Sequence, residues 1–204
     1  PLEATAKATL TDVIALGNPQ RLVDMDAQGI DYQAINVNAW GYSADRALAR
    51  DLCALQNEKI AQYVAQHPNR FVGMATLPLQ HPDLAAEQLE HAVRKLGLRG
   101  AAIGGSVEGA ELSDRRFDPF WAKAEELNAP IYLHPADPVE QYSTYGDYNE
   151  IKRATWGWGV ETGTHALRMI FGGVFDRFPK ARLGLGHMGE TLPFLLWRFQ
   201  YGRW

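Results

Sequence analysis

The chain has 204 residues, 46% hydrophobic and 22% charged, which excludes a disordered, collagen-like or coiled-coil protein and leaves enough apolar material for one sizeable core. No run approaches the roughly 18 uncharged apolar residues that cross a bilayer, and no basic segment leads into an apolar one at the start, so a soluble, cytoplasmic protein is expected. With 24 acidic against 20 basic residues and a net charge of -4, nothing forms a basic stripe, and neither a nucleic acid nor a membrane is expected as a partner.

Residues Pro1 to Gln20 mix small residues with threonine and a Gly17-Asn18-Pro19 turn signal, and read like the interior of a longer text. A strand-like run from Tyr32 to Asn38 comes next. Leu48, Leu52, Leu55, Ile60, Tyr63 and Val64 then recur at helical spacing. Cys53, the single cysteine, is read as part of that helix's apolar side rather than as a reactive thiol. Phe71 to Ala75 reads as a second strand, followed by a helix that Pro82 starts and Gly97 stops.

Gly100 to Ile103 gives a third strand, and a helix from about Asp114 carries Phe117, Phe120, Trp121, Ala124 and Leu127. Pro130 to Leu133 is the fourth strand. A polar segment over 137–155, read as an insertion, separates it from one helix holding Val160, Leu167, Ile170, Phe171, Val174 and Phe175. Ala181 to Gly186 is the fifth strand, leading through Thr191 and Pro193 into a last helix. Each interval between strands is long enough for one βα unit, and five apolar strands in succession indicate a parallel sheet covered by helices.

An open doubly wound sheet should carry a Gly-rich phosphate turn, and Ile103-Gly104-Gly105-Ser106 is a poor match to one. The (β/α)8 barrel is therefore favoured. Such a barrel takes about 250 residues and eight strands. Five visible units predict a single partial barrel domain over 1–204, without its first and last strands.

In a barrel the chemistry sits where strands end. His134 follows the fourth strand and precedes Pro135; His187 follows the fifth and precedes Met188-Gly189-Glu190. In adjacent strands they would face one mouth, where an imidazole can ligate a metal or move a proton near neutral pH. The plainer alternative is a histidine bonded to a loop carbonyl. His67 and His91 read as structural or solvated, His81 as a helix cap before Pro82, and His165 as a support behind the site. Arg198 is positioned to clamp a carboxylate or to be an exposed helix arginine. Glu190 orients a histidine or accepts helix N–H groups. Asn36 and Asn38 alternate along the first strand and so share a side, expected to be the barrel interior. Trp156, Trp158, Trp197 and Trp204 are read as packing.

The segments Arg70-Phe71-Val72-Gly73, Phe117-Asp118-Pro119-Phe120-Trp121, Tyr132-Leu133-His134-Pro135, Glu161-Thr162, His165-Ala166-Leu167-Arg168 and Leu185-Gly186-His187-Met188-Gly189-Glu190 resemble the amidohydrolase-related family. That family includes the γ-resorcylate, 5-carboxyvanillate and aminocarboxymuconate semialdehyde decarboxylases. The resemblance runs from Arg21 to Trp204. It implies a distorted (β/α)8 barrel of the metal-dependent hydrolase superfamily with one divalent metal, zinc or manganese, and no organic cofactor.

By the same resemblance His134 is a metal ligand, His187 a catalytic or water-positioning residue beside the metal, and Arg198 a contact to the substrate carboxylate. The family's first-strand His-x-His or Glu-x-His pair and its eighth-strand Asp have no counterpart in this text, which leaves the metal site incomplete. The activity implied is non-oxidative decarboxylation of an aromatic or related unsaturated carboxylate. A hydrolase or hydratase using the same metal, and a truncated non-catalytic barrel, are the alternatives. Exposed aromatic helices lead us to expect a homo-oligomer.

Overall fold

The computed structural model describes residues 18–38, 41–136 and 145–201. A short helix that the sequence reading did not anticipate, α1 (Gln20–Ala27), precedes strand β1 (Gln33–Ile35). Its own signals are weak: Pro19 offers no capping side chain, and Met25 is its one buried residue. Met25 packs with Ile35 and Phe71 in a small core at that end of the sheet.

Helix α2 (Arg46–Gln66) starts where the Asp45 carboxylate accepts the Leu48 N–H at 3.0 Å. The expected helix is there and Ile60 of its expected apolar side is buried, with Tyr63 and Val64 partly so, but the leucines of its first half face outward. Ala49, Cys53, Asn57 and Ile60 are buried, whereas Leu48, Leu52 and Leu55 are 50, 39 and 54% exposed. Ala49, Cys53, Asn57 and Ile60 recur every three or four residues and so form one helix face, and Leu48, Leu52 and Leu55 fall beside that face rather than on it. Cys53 is buried as expected, and burial pushes its thiol up to about 11.

Strand β2 (Phe71–Ala75), helix α3 (Pro82–Arg94) and strand β3 (Gly100–Ile103) fall where the sequence put them. The expected cap is missing, since the His81 side chain makes no capping bond to α3; Pro82 in the first turn and Asp83 near the helix dipole suffice there. A 3-10 turn, Arg115–Phe117, leads into α4 (Asp118–Glu126), and β4 (Ile131–Leu133) follows. The expected single helix near 160–175 is two: α5 (Gly157–Phe171) and α6 (Val174–Arg177), because Gly173 takes a left-handed conformation at φ 72° and turns the chain. Strand β5 (Leu183–Leu185), a 3-10 turn at His187–Gly189 and helix α7 (Leu192–Tyr201) close the described chain. Residues 137–144 of the expected insertion, and Trp204, lie outside the described residues.

All five strands pair in parallel in the order β1-β2-β3-β4-β5. Behind them the buried side chains of α3 and α4, with Leu89, Phe117, Phe120 and Trp121 at the centre, form the main core. The packing leaves β3 no room beside β4: a Cβ on Gly100 would stand 2.1 Å from the Pro130 carbonyl oxygen. Gly100→Ala is therefore expected to cost about 2 to 3 kcal/mol, the upper range for overpacking a core. A urea melt with an unchanged midpoint would refute this.

The sheet is curled. In a flat sheet, β1 and β4 would stand roughly 14 Å apart, three strand spacings, beyond what an asparagine and a histidine side chain can bridge. Yet Asn38 Nδ2, just past β1, lies 3.1 Å from His134 Nε2, just past β4.

Candidate active site

The carboxyl ends of the strands form one mouth. Asn36 and Asn38 come from the end of β1, Thr76 from β2, Gly104 from β3, His134 from β4 and His187 from β5. The loop after β1 reaches across: Gly104 N–H donates to the Tyr42 hydroxyl at 3.2 Å, and burial drives that phenol well above its ordinary pKa, the Gly104 bond pulling it partly back. The expected strand from Tyr32 to Asn38 is shorter, ending at Ile35, so Asn36 and Asn38 lie past it rather than alternating along it; their amides bond each other, Asn36 Nδ2 donating to Asn38 Oδ1.

His134 is half-buried, and its backbone N–H donates to Ile103 O at 2.8 Å, which extends the β3–β4 pairing to this residue. Its Nδ1 lies 2.7 Å from Pro135 O. A carbonyl only accepts, so Nδ1 carries the ring proton and Nε2 presents its lone pair to the mouth. That is the tautomer a metal-ligating histidine adopts when a backbone oxygen holds its other nitrogen. The atom therefore fits a divalent cation.

His187 begins the turn after β5. Its Nδ1 is 2.9 Å from Glu190 Oε1, and the Trp158 ring centroid is 6.3 Å from its own. His187, Met188 and Glu190 all have positive φ, a cluster of unfavourable backbone conformations that turns the segment sharply back on itself. Glu190 is seated against α5, where Gly159 makes room: a Cβ there would stand 2.8 Å from Glu190 Oε2. Arg198 projects from α7, exposed, and among the described residues the contact recorded for its guanidinium is to the Trp197 ring, 5.9 Å away. Trp156, just before α5, and Trp197, on α7, are exposed rather than packed, contrary to the sequence reading, the Trp197 ring meeting Tyr201 edge-on at 6.3 Å on the outer face of its own helix.

His165 sits apart from these, 1% exposed, with two carboxylates that the sequence reading missed. Its Nδ1 is 2.7 Å from Glu111 Oε2 and 3.9 Å from Glu161 Oε1. Glu161 was legible, four residues before the histidine on one helix; Glu111 arrives from the loop after β3 and has no such signal. The three groups hold their ligand atoms within 4.8 Å of one another, close enough to consider a metal.

The tautomer weighs against it. Leu112 N–H donates to His165 Nε2 at 3.2 Å, so the ring proton is on Nδ1, the nitrogen 2.7 Å from Glu111 Oε2, and no lone pair is left for an ion. Burial lowers the His165 pKa, while the facing carboxylates raise it and prevail; the His165 contact in turn holds Glu111 below the usual carboxylate range, against burial. A second proton on Nε2 would meet the Leu112 N–H directly. The neutral form with Nδ1–H is therefore the one this geometry accommodates. Gly105 links the group to the mouth, since a Cβ there would lie 3.8 Å from both Glu161 Oε1 and His165 Nδ1, and 3.4 Å from Ala136, two residues past His134.

A curled parallel sheet wrapped by helices, with polar residues gathered at the strand ends, is the architecture of the (β/α)8 barrels of the metal-dependent hydrolase superfamily. Within that class the chain belongs to the amidohydrolase family, whose family model matches residues 11–201. It is 40% identical over 190 residues to a γ-resorcylate decarboxylase of Rhizobium sp. strain MTP-10005, covering 89% of this chain and 58% of the relative. Of solved structures, a 2,6-dihydroxybenzoate decarboxylase from Rhizobium superposes with a TM-score of 0.82 at 37% identity, covering 89% of this chain and 59% of that one. A dihydroxybenzoic acid decarboxylase from Polaromonas sp. JS666, with bound manganese and the inhibitor 2-nitroresorcinol, gives 0.82 at 36% identity, covering 89% and 57%. The chain thus spans somewhat less than three fifths of the length of these relatives. Among its described residues no helix is long and apolar enough to cross a membrane.

Proposed function

We propose that this chain carries the substrate side of a metal-dependent, non-oxidative decarboxylase acting on a hydroxylated aromatic carboxylate. The observation that carries the reading is His134: an imidazole at a strand end, its Nδ1–H held by Pro135 O, its Nε2 lone pair turned into the mouth. The activity of relatives at 40% identity supports it, and the manganese in one of their structures favours manganese over zinc.

Held by His134, a divalent cation would supply a Lewis acid for a phenolate oxygen and a carboxylate oxygen of the substrate. The chain's own residues do the rest. Arg198 presents two parallel N–H donors to the carboxylate that is to leave. His187, its Nδ1 2.9 Å from Glu190 Oε1, is the group that accepts or returns a proton while charge builds on the ring. Glu111, Glu161 and His165 brace the loop after β3 against α5 and so fix one wall of the mouth.

The direct test is carbon dioxide release from 2,6-dihydroxybenzoate and related hydroxybenzoates with Mn2+ present. Ring opening or water addition without release would overturn the reading. The clamp has its own test. Losing both charge-assisted bonds should make Arg198→Met roughly thirty- to a thousandfold poorer in kcat/KM, with Arg198→Lys intermediate and metal content unchanged. A loss of less than about threefold for every carboxylate tried would mark Arg198 as a solvated helix residue.

A further inference from the structure

Around His134 the hydrogen-bond roles fix one another. Because Asn36 Nδ2 donates to Asn38 Oδ1, the Asn38 amide is oriented with its Nδ2 toward His134 Nε2, 3.1 Å away. An amide nitrogen donates, so Nε2 accepts. The same answer comes from the other side of the ring, where Nδ1–H donates a hydrogen bond to Pro135 O and keeps its proton. The lone pair that fits a cation is therefore already engaged by Asn38.

We propose that Asn38 is a displaceable amide cap on His134, occupying the Nε2 lone pair until a divalent cation takes its place, with Asn57 and Thr76 as the residues that position it. The proposal rests on the reading of His134 as a cation ligand. Asn57 is a buried asparagine on α2 that the catalytic reading does not use. Its amide clamps the main chain of Thr76 on both sides, Nδ2 donating to Thr76 O at 3.0 Å and Oδ1 accepting Thr76 N–H at 2.8 Å. Fully buried in turn, Thr76 donates from Oγ1 to Val37 O at 3.3 Å. Val37 is the residue between Asn36 and Asn38, so this chain of bonds sets where the cap lies.

A cap and a scaffold predict opposite signs. If Asn38 merely held the site together, deleting it would loosen the cation; if it competes for the lone pair, deleting it tightens the cation. In Asn38→Ala, a change at an exposed position, the dissociation constant for Mn2+ alone, read by electron paramagnetic resonance, should fall about two- to tenfold, the scale of one hydrogen bond. In the same variant without metal, the 15N resonance of His134 Nε2 should move toward that of an imidazole nitrogen accepting a weaker bond. Thr76→Val, which keeps the bulk and deletes the hydroxyl, should shift both readouts the same way by less. Thr76→Ser should restore them, and Thr76→Val should add nothing in the Asn38→Ala background.

Weaker or unchanged Mn2+ binding in Asn38→Ala would overturn the displacement. An unmoved Nε2 resonance in the metal-free variant would overturn the cap itself. A wild-type His134 signal left unbroadened by Mn2+ would instead overturn the reading of His134 as a ligand, an outcome distinct from the other two.

Discussion

His134→Ala is expected to remove most bound metal and nearly all decarboxylase activity. The reasoning starts from the backbone. Pro135 follows the ring and restricts the chain on both sides of it, and its carbonyl accepts a hydrogen bond from Nδ1–H, so the imidazole is pre-aimed and its coordinating atom chosen before any ion arrives. A ligand prepared in this way contributes more affinity than a flexible one, since its ordering cost is met on folding. Alanine removes the coordinating nitrogen and the bond to Pro135 O together. Metal analysis after dialysis is the decisive measurement: full occupancy in His134→Ala would show that the metal is held elsewhere.

His187→Asn is expected to act on turnover instead. His187 belongs to a strained turn and is paired with Glu190 at 2.9 Å, so it is built to be oriented and to exchange a proton rather than to be saturated by an ion. Asparagine keeps a polar group of similar reach but cannot take up a proton. Metal content should stay near wild type while kcat falls roughly a hundredfold or more, the usual scale for a lost acid-base group. Loss of metal together with rate would make His187 a ligand and favour a hydrolytic arrangement in its place.

Periodicity made much of the fold legible. Strands β2, β3 and β4 and helix α3 were found with their ends, because alternating or continuous apolar runs there are bounded by Pro82, Gly97 and Pro130, residues that act on the backbone whatever surrounds them. What failed depended on neighbours. Leu48, Leu52 and Leu55 look like a buried stripe until α2 is laid on the sheet by the face that carries Ala49, Cys53, Asn57 and Ile60 instead. Helix α1 carries almost no local signal, and Gly173 splits a helix whose apolar spacing runs straight through the break.

The candidate site divides in the same way. His134 and His187 were visible because a strand end is a sequence position. Glu161 was visible in principle from its spacing to His165. Glu111, Thr76 and Asn57 were not, since each matters through a partner from another unit of the chain, and Asn57 resembles any polar helix residue until its amide is seen against the Thr76 main chain.

The strand order repeats the chain order, β1 to β5 without a crossing, and this governs how the protein is assembled in time. Each new strand and helix can dock on the edge left by the one before, so the sheet can be laid down vectorially as the chain leaves the ribosome, through contacts of modest sequence separation. The Asn38–His134 contact is different: its partners are 96 residues apart and meet only after four strands are in place and the sheet has curled. That contact closes a longer loop than any of the strand pairings, so Asn38→Ala is expected to act on the unfolding rate rather than the folding rate, which refolding and unfolding kinetics would check.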